Sequence, residues 1–292
     1  MKKEDKILIL DFGSQYTQLI ARKIRELHVY SEIHPYSLDI SSIQRFQPKA
    51  IVLSGGPQSV HESNSPKADP QIFQISIPIL GICYGAQWTA QVFGGKVESS
   101  QIREYGRTEL SIIHPSPLFD GLPPSFPVWM SHGDHIEELS QAFEAIASSL
   151  DCSVAAFQNL EQKIFGLQFH PEVHHSQFGK EILSNFLFSI AQCKPSWNIP
   201  HWIDEKVQEI RQQIGSAKVI SALSGGVDSS VASVLVHKAV GDQLTCIFVD
   251  NGLLRSGEKE QVQEVFQKHF HIPLIVIDGR KKFLEALKRV TD

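Results

Sequence analysis

The chain has 292 residues, 42% of them hydrophobic and 20% charged, which is ordinary for a globular protein long enough to form two domains. The formal net charge of −5 argues against a general nucleic-acid-binding surface, so we expect no nucleic acid partner. The sequence contains no apolar run long enough for a transmembrane helix, so we expect no membrane association. Four widely spaced cysteines do not indicate a disulfide framework and predict a cytoplasmic protein.

The first 190 residues or so predict alternating strands and helices. Apolar segments at residues 6–10, 50–53 and 77–80 each run into a Gly-rich turn, and residues 19–27 have helical periodicity. Residues 98–127 are rich in turn formers and predict an antiparallel excursion. The pattern predicts an α/β domain with a mixed, mostly parallel sheet, whose ligands bind beyond the carboxyl ends of the strands.

A domain boundary is predicted where Pro195 and Pro200 lie close together, because proline fits neither a helix interior nor a central strand. We predict a first domain over residues 1–194, a linker and helix over 195–216, and the beginning of a second, doubly wound α/β nucleotide-binding domain over 217–292. The last segment is short for a domain of about 100–150 residues, so we expect it to be incomplete. Its predicted strands are residues 219–223, 244–249 and 274–277.

Cys83 lies in Gly81-Ile82-Cys83-Tyr84-Gly85, between a predicted strand and a predicted helix. This is the pattern of a nucleophile elbow with cysteine in place of serine. The N–H groups at the start of the following helix would favour the thiolate. The alternative is a buried structural cysteine beside turn glycines, and this segment alone does not decide between them.

Gln168-Phe169-His170-Pro171-Glu172 supplies the partners that such a nucleophile needs. In an extended segment His170 and Glu172 face the same side, and a carboxylate beside an imidazole orients it as a base. With Cys83 they predict a nucleophile, a base and an orienting acid. A backbone N–H of the segment 54–57, together with that of Tyr84, would form an oxyanion hole. Taken singly, each segment also fits an ordinary turn.

Two histidine groupings raise the question of a metal site in the first domain: His132 with His135, and His170 with His174 and His175. Zinc sites need three or four ligands at compatible spacing, and no Cys-x-x-Cys pair is present. A role as base explains His170 better, so we predict no metal in this domain.

The second domain contains a loop typical of phosphate binding, over residues 224–230. A Gly-rich turn between a strand and a helix presents N–H groups to an anion, and the serines add hydroxyl donors. The lysine of a Walker A loop is missing. Asp228 within the loop indicates that Mg²⁺ mediates part of the contact. An N-cap with turn glycines is the alternative. The predicted ATP-binding residues are Ser224, Gly225, Gly226, Val227, Asp228, Ser229, Ser230 and Asp250.

The segments around Asp11, Ser54, Cys83, Ser131 and His170 resemble class I glutamine amidotransferases over about the first 190 residues. The resemblance implies thioester formation at the side-chain amide of glutamine, release of ammonia and hydrolysis to glutamate. It also implies that Gly56 and Tyr84 donate to the oxyanion, and that the substrate is held by Gln87, Ser131 and Gly133.

The loop at residues 224–230 resembles that of N-type ATP pyrophosphatases, in which an acid follows the second strand, as Asp250 does. The two domains together are similar to glutamine-hydrolysing GMP synthetases. This implies glutamine, ATP with Mg²⁺ and xanthosine 5′-monophosphate as substrates, and no tightly bound cofactor. The family continues past Asp292, in a region that implies a homodimer, so we expect this chain alone to release glutamate without making GMP.

Two other interpretations stay open. The chain could be the glutaminase component of another synthase, such as one that makes carbamoyl phosphate or anthranilate, although the phosphate loop argues against this. It could also be a non-catalytic binding fragment. Nucleotide binding and glutamate release would discriminate among the three.

Overall fold

A computed structural model describes residues 4–290, except for the side chains of residues 100–104. The chain divides after Trp197 into two compact units, Met1–Trp197 and Asn198–Asp292. Among the described residues, no helix is both long and apolar enough to cross a membrane.

The first unit is built on one nine-stranded sheet with the order β2-β1-β3-β4-β9-β8-β7-β5-β6. The pairs from β2 to β9 are parallel and the pairs from β9 to β6 are antiparallel, so the predicted mixed sheet is confirmed. Its strands are β1 (Lys6–Asp11), β2 (Tyr30–Pro35), β3 (Ala50–Leu53), β4 (Ile79–Ile82), β5 (Lys96–Ile112), β6 (Ser125–Glu138), β7 (Glu144–Ser148), β8 (Ala156–Asn159) and β9 (Ile164–Leu167).

The central strands are apolar on both faces because both faces are covered. In β1, Ile7 and Ile9 belong to one core cluster, whereas Leu8 and Leu10 belong to the cluster on the other face. All four side chains are fully buried. The helices of the unit are α1 (Thr17–Glu26), α2 (Ile40–Phe46), α3 (Tyr84–Val92) and α4 (Gly179–Ser184), with a π-helical turn at Asn185–Ile190 and 3₁₀ turns at Pro70–Gln74 and Pro117–Phe119.

Strand β4 and the antiparallel part of the sheet differ in their bounds from the predictions. The strand predicted at residues 77–80 lies two residues later, because Pro78 has no N–H to donate and the ladder begins at Ile79. The antiparallel excursion predicted over residues 98–127 is confirmed, and it extends further than predicted, through β6 to Glu138.

The second unit contains a parallel three-stranded sheet in the order β10-β11-β12. Its strands are β10 (Val219–Leu223), β11 (Leu244–Asp250) and β12 (Leu274–Asp278). Its helices are α5 (Ile199–Ile214), α6 (Val227–Val240), α7 (Glu258–Gln263) and α8 (Arg280–Ala286), with a 3₁₀ turn at Gly241–Gln243 and a π-helical turn at Glu264–His269. The three strands match the prediction, and together they confirm a second α/β unit.

The sheet of the second unit buries one of its faces better than the other. In β11, Leu244, Cys246 and Phe248 are buried and alternate with partly exposed residues. On the flanking strands, Ile220 is 72% exposed and Ile275 is 52% exposed. The buried face therefore holds the core of this unit.

Candidate active site

Cys83 stands at the junction of β4 and α3, at the carboxyl end of the parallel strands. Its backbone has φ 49° and ψ −107°, a region that non-glycine residues rarely adopt. Its N–H donates to the carbonyl of Leu167 at 2.7 Å, which ties the turn to the end of the neighbouring strand β9. The predicted elbow is therefore present. The nucleophile candidate has a strained backbone, whose N–H and carbonyl groups both form hydrogen bonds.

The glycines around Cys83 permit a close approach of neighbouring segments. A Cβ added to Gly81 would lie 2.7 Å from the backbone nitrogen of Ala86, and one added to Gly85 would lie 2.5 Å from the carbonyl oxygen of Leu53. Neither distance is compatible with a side chain. The two glycines thus let α3 begin directly against the ends of β3 and β4.

His170 and Glu172 form a buried pair. The Nδ1 atom of His170 lies 2.8 Å from Oε1 of Glu172, and their side chains are 4% and 0% exposed. The His170 ring also lies against Gly55, whose added Cβ would be 3.1 Å from Cε1, and edge-on to the ring of Tyr16. The imidazole is therefore fixed on several sides.

The extended segment predicted for residues 168–172 is wrong in detail. Residues 168 and 169 form a bend after β9, and residues 171 and 172 begin a turn. Ser176 stabilises that turn, because its hydroxyl donates to the carbonyl of His170 at 2.5 Å and accepts from the N–H of Trp129 at 3.0 Å. His170 and Glu172 meet through the turn rather than through the alternation of a strand.

The electrostatic surroundings favour the charged form of His170. Burial by itself lowers the pKa of His170, but the Glu172 carboxylate and the sulfur of Cys83 raise it more. The net result is a pKa well above the ordinary histidine value. A charged imidazole beside the sulfur of Cys83 is an arrangement that suits a cysteine nucleophile.

A cavity of about 780 Å³ opens at these residues. Six of the predicted site residues line it: Gly56, Cys83, Gln87, Ser131, Gly133 and His170. Tyr84 and Glu172 are buried behind it, with exposures of 1% each. Tyr84 is the first residue of α3, so its N–H has no partner within the helix.

Several residues at the site were missed by the sequence reasoning. Asp134 lines the cavity from β6, Tyr16 contacts the His170 ring, and Gln168 places its side chain beside Cys83 and Gln87. The sequence of β6 contained an indication of the Asp134 position. Buried and less buried residues alternate along this strand, and the buried ones include apolar Met130, followed by polar His132 and Asp134. A polar residue at an inward strand position is a candidate site residue.

In the second unit the predicted phosphate loop joins β10 to α6. Gly225 has φ +82°, Gly226 is the N-cap of α6, and Val227 to Ser230 form the first turn of the helix. The hydroxyl of Ser229 accepts from the N–H of Ser224 at 3.2 Å, which closes the loop on itself. Asp228 is exposed on this turn.

Asp250 lies at the carboxyl end of β11, next to the end of β10, so the parallel pairing places it at the same sheet edge as the loop. It is 7% exposed, and its Oδ2 atom lies 3.6 Å from Nζ of Lys259 and 3.9 Å from Nε of Arg280. The predicted acid thus lies at the same sheet edge as the loop, with the cationic side chains of Lys259 and Arg280 beside it.

The histidine groupings do not assemble a metal site in the part of the chain that the structure describes, where no group of three His, Cys, Asp or Glu side chains could hold an ion. His174 and His175 are exposed and pack their rings against each other, and His175 also contacts Trp129.

Comparison with known families agrees with this geometry. A family described as "Glutamine amidotransferase class-I" matches residues 8–190, and a family described as "NAD synthase" matches residues 198–283. The chain therefore belongs to the class-I glutamine amidotransferase family.

Two curated proteins that are similar to this chain are both glutamine-hydrolysing GMP synthases. The chain is similar to the glutamine-hydrolysing GMP synthase of Clostridium novyi, with 51% identity over 98% of this chain and 56% of that protein. It is also 53% identical to the GMP synthase of Caldicellulosiruptor saccharolyticus, again over 98% of this chain and 56% of the relative. These similarities confirm the predicted resemblance to GMP synthases, which are enzymes, and the chain spans just over half the length of these relatives.

A solved structure supports the fold of the first unit. It is that of a GMP synthase component from Thermoplasma acidophilum, which is 35% identical with a TM-score of 0.58, and the match covers 65% of this chain and 96% of that one.

Proposed function

We propose that the first unit hydrolyses glutamine, and that the whole protein uses the released ammonia to aminate xanthosine 5′-monophosphate to GMP with ATP. The observation that carries the first part is that Cys83 and His170 line one cavity, while Glu172 lies 2.8 Å from the Nδ1 atom of His170. The similarity to GMP synthases supports the second part.

In the first step, the Cys83 thiolate attacks the side-chain amide carbon of glutamine, which is held by Gln87, Ser131 and Gly133. The N–H groups of Gly56 and Tyr84 stabilise the negative charge that develops on the amide oxygen. His170, as the imidazolium, gives its proton to the departing nitrogen, so that ammonia leaves and a thioester remains.

In the second step, neutral His170 takes a proton from water as the water attacks the thioester, and glutamate is released. Glu172 acts through His170: its carboxylate holds Nδ1 and therefore keeps Nε2 directed to the reacting atoms. Because the side chains of His170 and Glu172 are 4% and 0% exposed, solvent has little access to this hydrogen bond.

In the second unit, residues 224–230 would hold the phosphates of ATP through backbone N–H groups and the α6 N-terminus. Asp228 and Asp250 would contact the Mg²⁺ that accompanies ATP, because carboxylate oxygens suit this ion. ATP would activate the acceptor by adenylation, with release of pyrophosphate, and ammonia would then displace AMP. Direct transfer of ammonia from the first reaction to the second is useful, because free ammonia is mostly protonated at neutral pH and cannot attack in that form.

The alternative of a glutaminase component for another synthase is less well supported. The identity to GMP synthases extends over 98% of the chain, and the NAD synthase match covers most of the second unit. The homodimer, the cytoplasmic location and the absence of a tightly bound cofactor stay predictions.

A glutaminase assay tests the proposal. The wild-type chain should release glutamate from glutamine, and Cys83→Ala should release none. Cys152→Ala is a matched control, because Cys152 is a buried cysteine of the core. Equal turnover by the wild-type and Cys83→Ala proteins would contradict the assignment of the nucleophile.

A further inference from the structure

Gln168 is a buried polar residue to which the proposed mechanism gives no role. It follows β9 directly, is 1% exposed and donates its backbone N–H to the carbonyl of Ala155 at 2.9 Å. Its side chain lies between two residues of the site. Its Nε2 atom is 3.9 Å from Sγ of Cys83, and its Oε1 atom is 3.3 Å from Nε2 of Gln87.

The orientation of both amides follows from one backbone carbonyl. Nε2 of Gln87 lies 2.7 Å from the carbonyl oxygen of Asp134, which can only accept a hydrogen bond, so the nitrogen of Gln87 must point there. The same nitrogen therefore meets the oxygen of Gln168. The nitrogen of Gln168 is then left to face the sulfur of Cys83.

Two consequences follow from this chain of hydrogen bonds. The sulfur of Cys83 lies 3.9 Å from this N–H donor and 3.7 Å from the carbonyl oxygen of Ser131, and of these two contacts only the donor suits a thiolate. Gln87 uses its nitrogen on two buried acceptors, so its Oε1 atom is the one available to donors in the cavity. Gln168 is thereby connected to the nucleophile and to a residue that lines the substrate cavity.

We propose that Gln168 is a positioning residue that stabilises the Cys83 thiolate and fixes the side-chain amide of Gln87. The inference rests on the proposed function in one respect, which is that Gln87 contacts the substrate glutamine. The part that concerns the sulfur can be tested without any turnover. A purely structural role would leave both the reactivity of Cys83 and the apparent affinity for glutamine unchanged.

The first experiment measures alkylation of Cys83 by iodoacetamide between pH 5 and 10, with peptide mapping to identify the modified cysteine. Gln168→Met removes the N–H donor at similar size. Its alkylation profile should move toward higher pH by roughly one unit, about tenfold in thiolate population at a given pH. Gln158→Met is the matched control. Gln158 is also buried, at 2% exposure, but its Nε2 donates to the carbonyl of Pro115 and to the carboxylate of Glu144, which are not residues of the site.

The second experiment compares KM and kcat for glutamine in Gln168→Met and Gln168→Glu. The glutamate keeps an oxygen acceptor for Gln87 and loses the donor to the sulfur. KM should therefore rise about tenfold in Gln168→Met and stay within about twofold of wild type in Gln168→Glu, while kcat falls in both. Gln168→Glu keeps the size and polarity of the side chain, and its alkylation profile still tests the contact with the sulfur if Gln168→Met does not fold.

An alkylation profile that coincides with wild type in the folded variants would overturn the proposal, as would equal KM values in Gln168→Met and wild type. A wild-type chain that releases no glutamate would refute the proposed function instead. In that case the alkylation profile still decides whether Gln168 acts on Cys83.

Discussion

Replacement of Glu172 by glutamine tests how much the buried carboxylate contributes to His170. The change keeps the shape of the side chain and removes its charge. A hydrogen bond to a charged group contributes about 1.5–3 kcal/mol, which corresponds to a loss of roughly 10- to 150-fold in rate. The loss would approach about 10⁴-fold if the imidazole also adopts the wrong tautomer, as happens when the acid of a Ser-His-Asp triad becomes an amide.

The dependence on pH gives this prediction a direction as well as a size. The Glu172 carboxylate is the main group that raises the pKa of His170, so its removal should lower that pKa. The high-pH limb of the glutaminase profile should therefore move to lower pH. The raised pKa of His170 stabilises the folded wild type below about pH 6.5, and this contribution is lost as the pH rises through the pKa of His170 in the folded protein. The Tm difference between the two proteins should therefore be largest near pH 6.

The assay is glutamate release across pH 5.5–9.5, with thermal unfolding at both ends of the range. Glu137→Gln is a matched control, because Glu137 also pairs with a histidine two residues away, at 3.0 Å from Nε2 of His135, but is 46% exposed. The control should keep its activity and Tm, since exposed pairs contribute about 0–1 kcal/mol. Activity of Glu172→Gln within twofold of wild type at every pH would refute the orienting role.

The remaining predictions concern other parts of the molecule. Cys83→Ala should lose alkylation by a glutamine-like electrophile as well as glutamate release, and labelling at the wild-type level would contradict its role. Asp228→Asn should weaken binding of ATP with Mg²⁺ in titration calorimetry and leave glutamate release intact; equal ATP affinity would remove Asp228 from the site. Gly85→Ala should cost about 1–3 kcal/mol of unfolding free energy, because the new Cβ meets Leu53 at 2.5 Å, whereas Gly133→Ala meets nothing within 4 Å and should keep the wild-type Tm.

The arrangement of the Cys83 elbow was predictable because it depends on local geometry. A strand, a sharp turn with glycines and a helix leave one position for the nucleophile, and parallel strands bring their carboxyl ends to one edge. His170 was predicted from its spacing to Glu172, and the structure places it after β9, which pairs directly with β4. Three strands of each unit were predicted from apolar segments, whereas β2, β7, β8 and β9 were not predicted.

The surroundings of Cys83, His170 and Glu172 were less predictable. The sequence motif that contains His170 also contains Gln168, yet nothing local indicates that its amide meets Cys83 and Gln87, because those contacts depend on how three elements pack. Asp134 and Tyr16 reach the site from β6 and from the loop before α1. Even the His170–Glu172 contact arises from a turn supported by Ser176, which the spacing of two residues does not reveal.

The placement of Ser131, Gly133 and Asp134 inside β6 has a consequence for how the cavity can open. In the pairing of β6 with β5, Ser131 lies opposite Tyr105 and Asp134 lies opposite Ser99, with a register shift between the two pairs, so this part of the cavity belongs to the sheet. Other lining residues come from the loops that follow β1 and β3, including residues 13–16 and 56–59. Because loop backbones open at lower free energy than paired strands, we expect slow amide hydrogen exchange along β6 and faster exchange in the two loops. A ligand would then enter this cavity by displacement of the loops, while the paired residues of β6 stay in place.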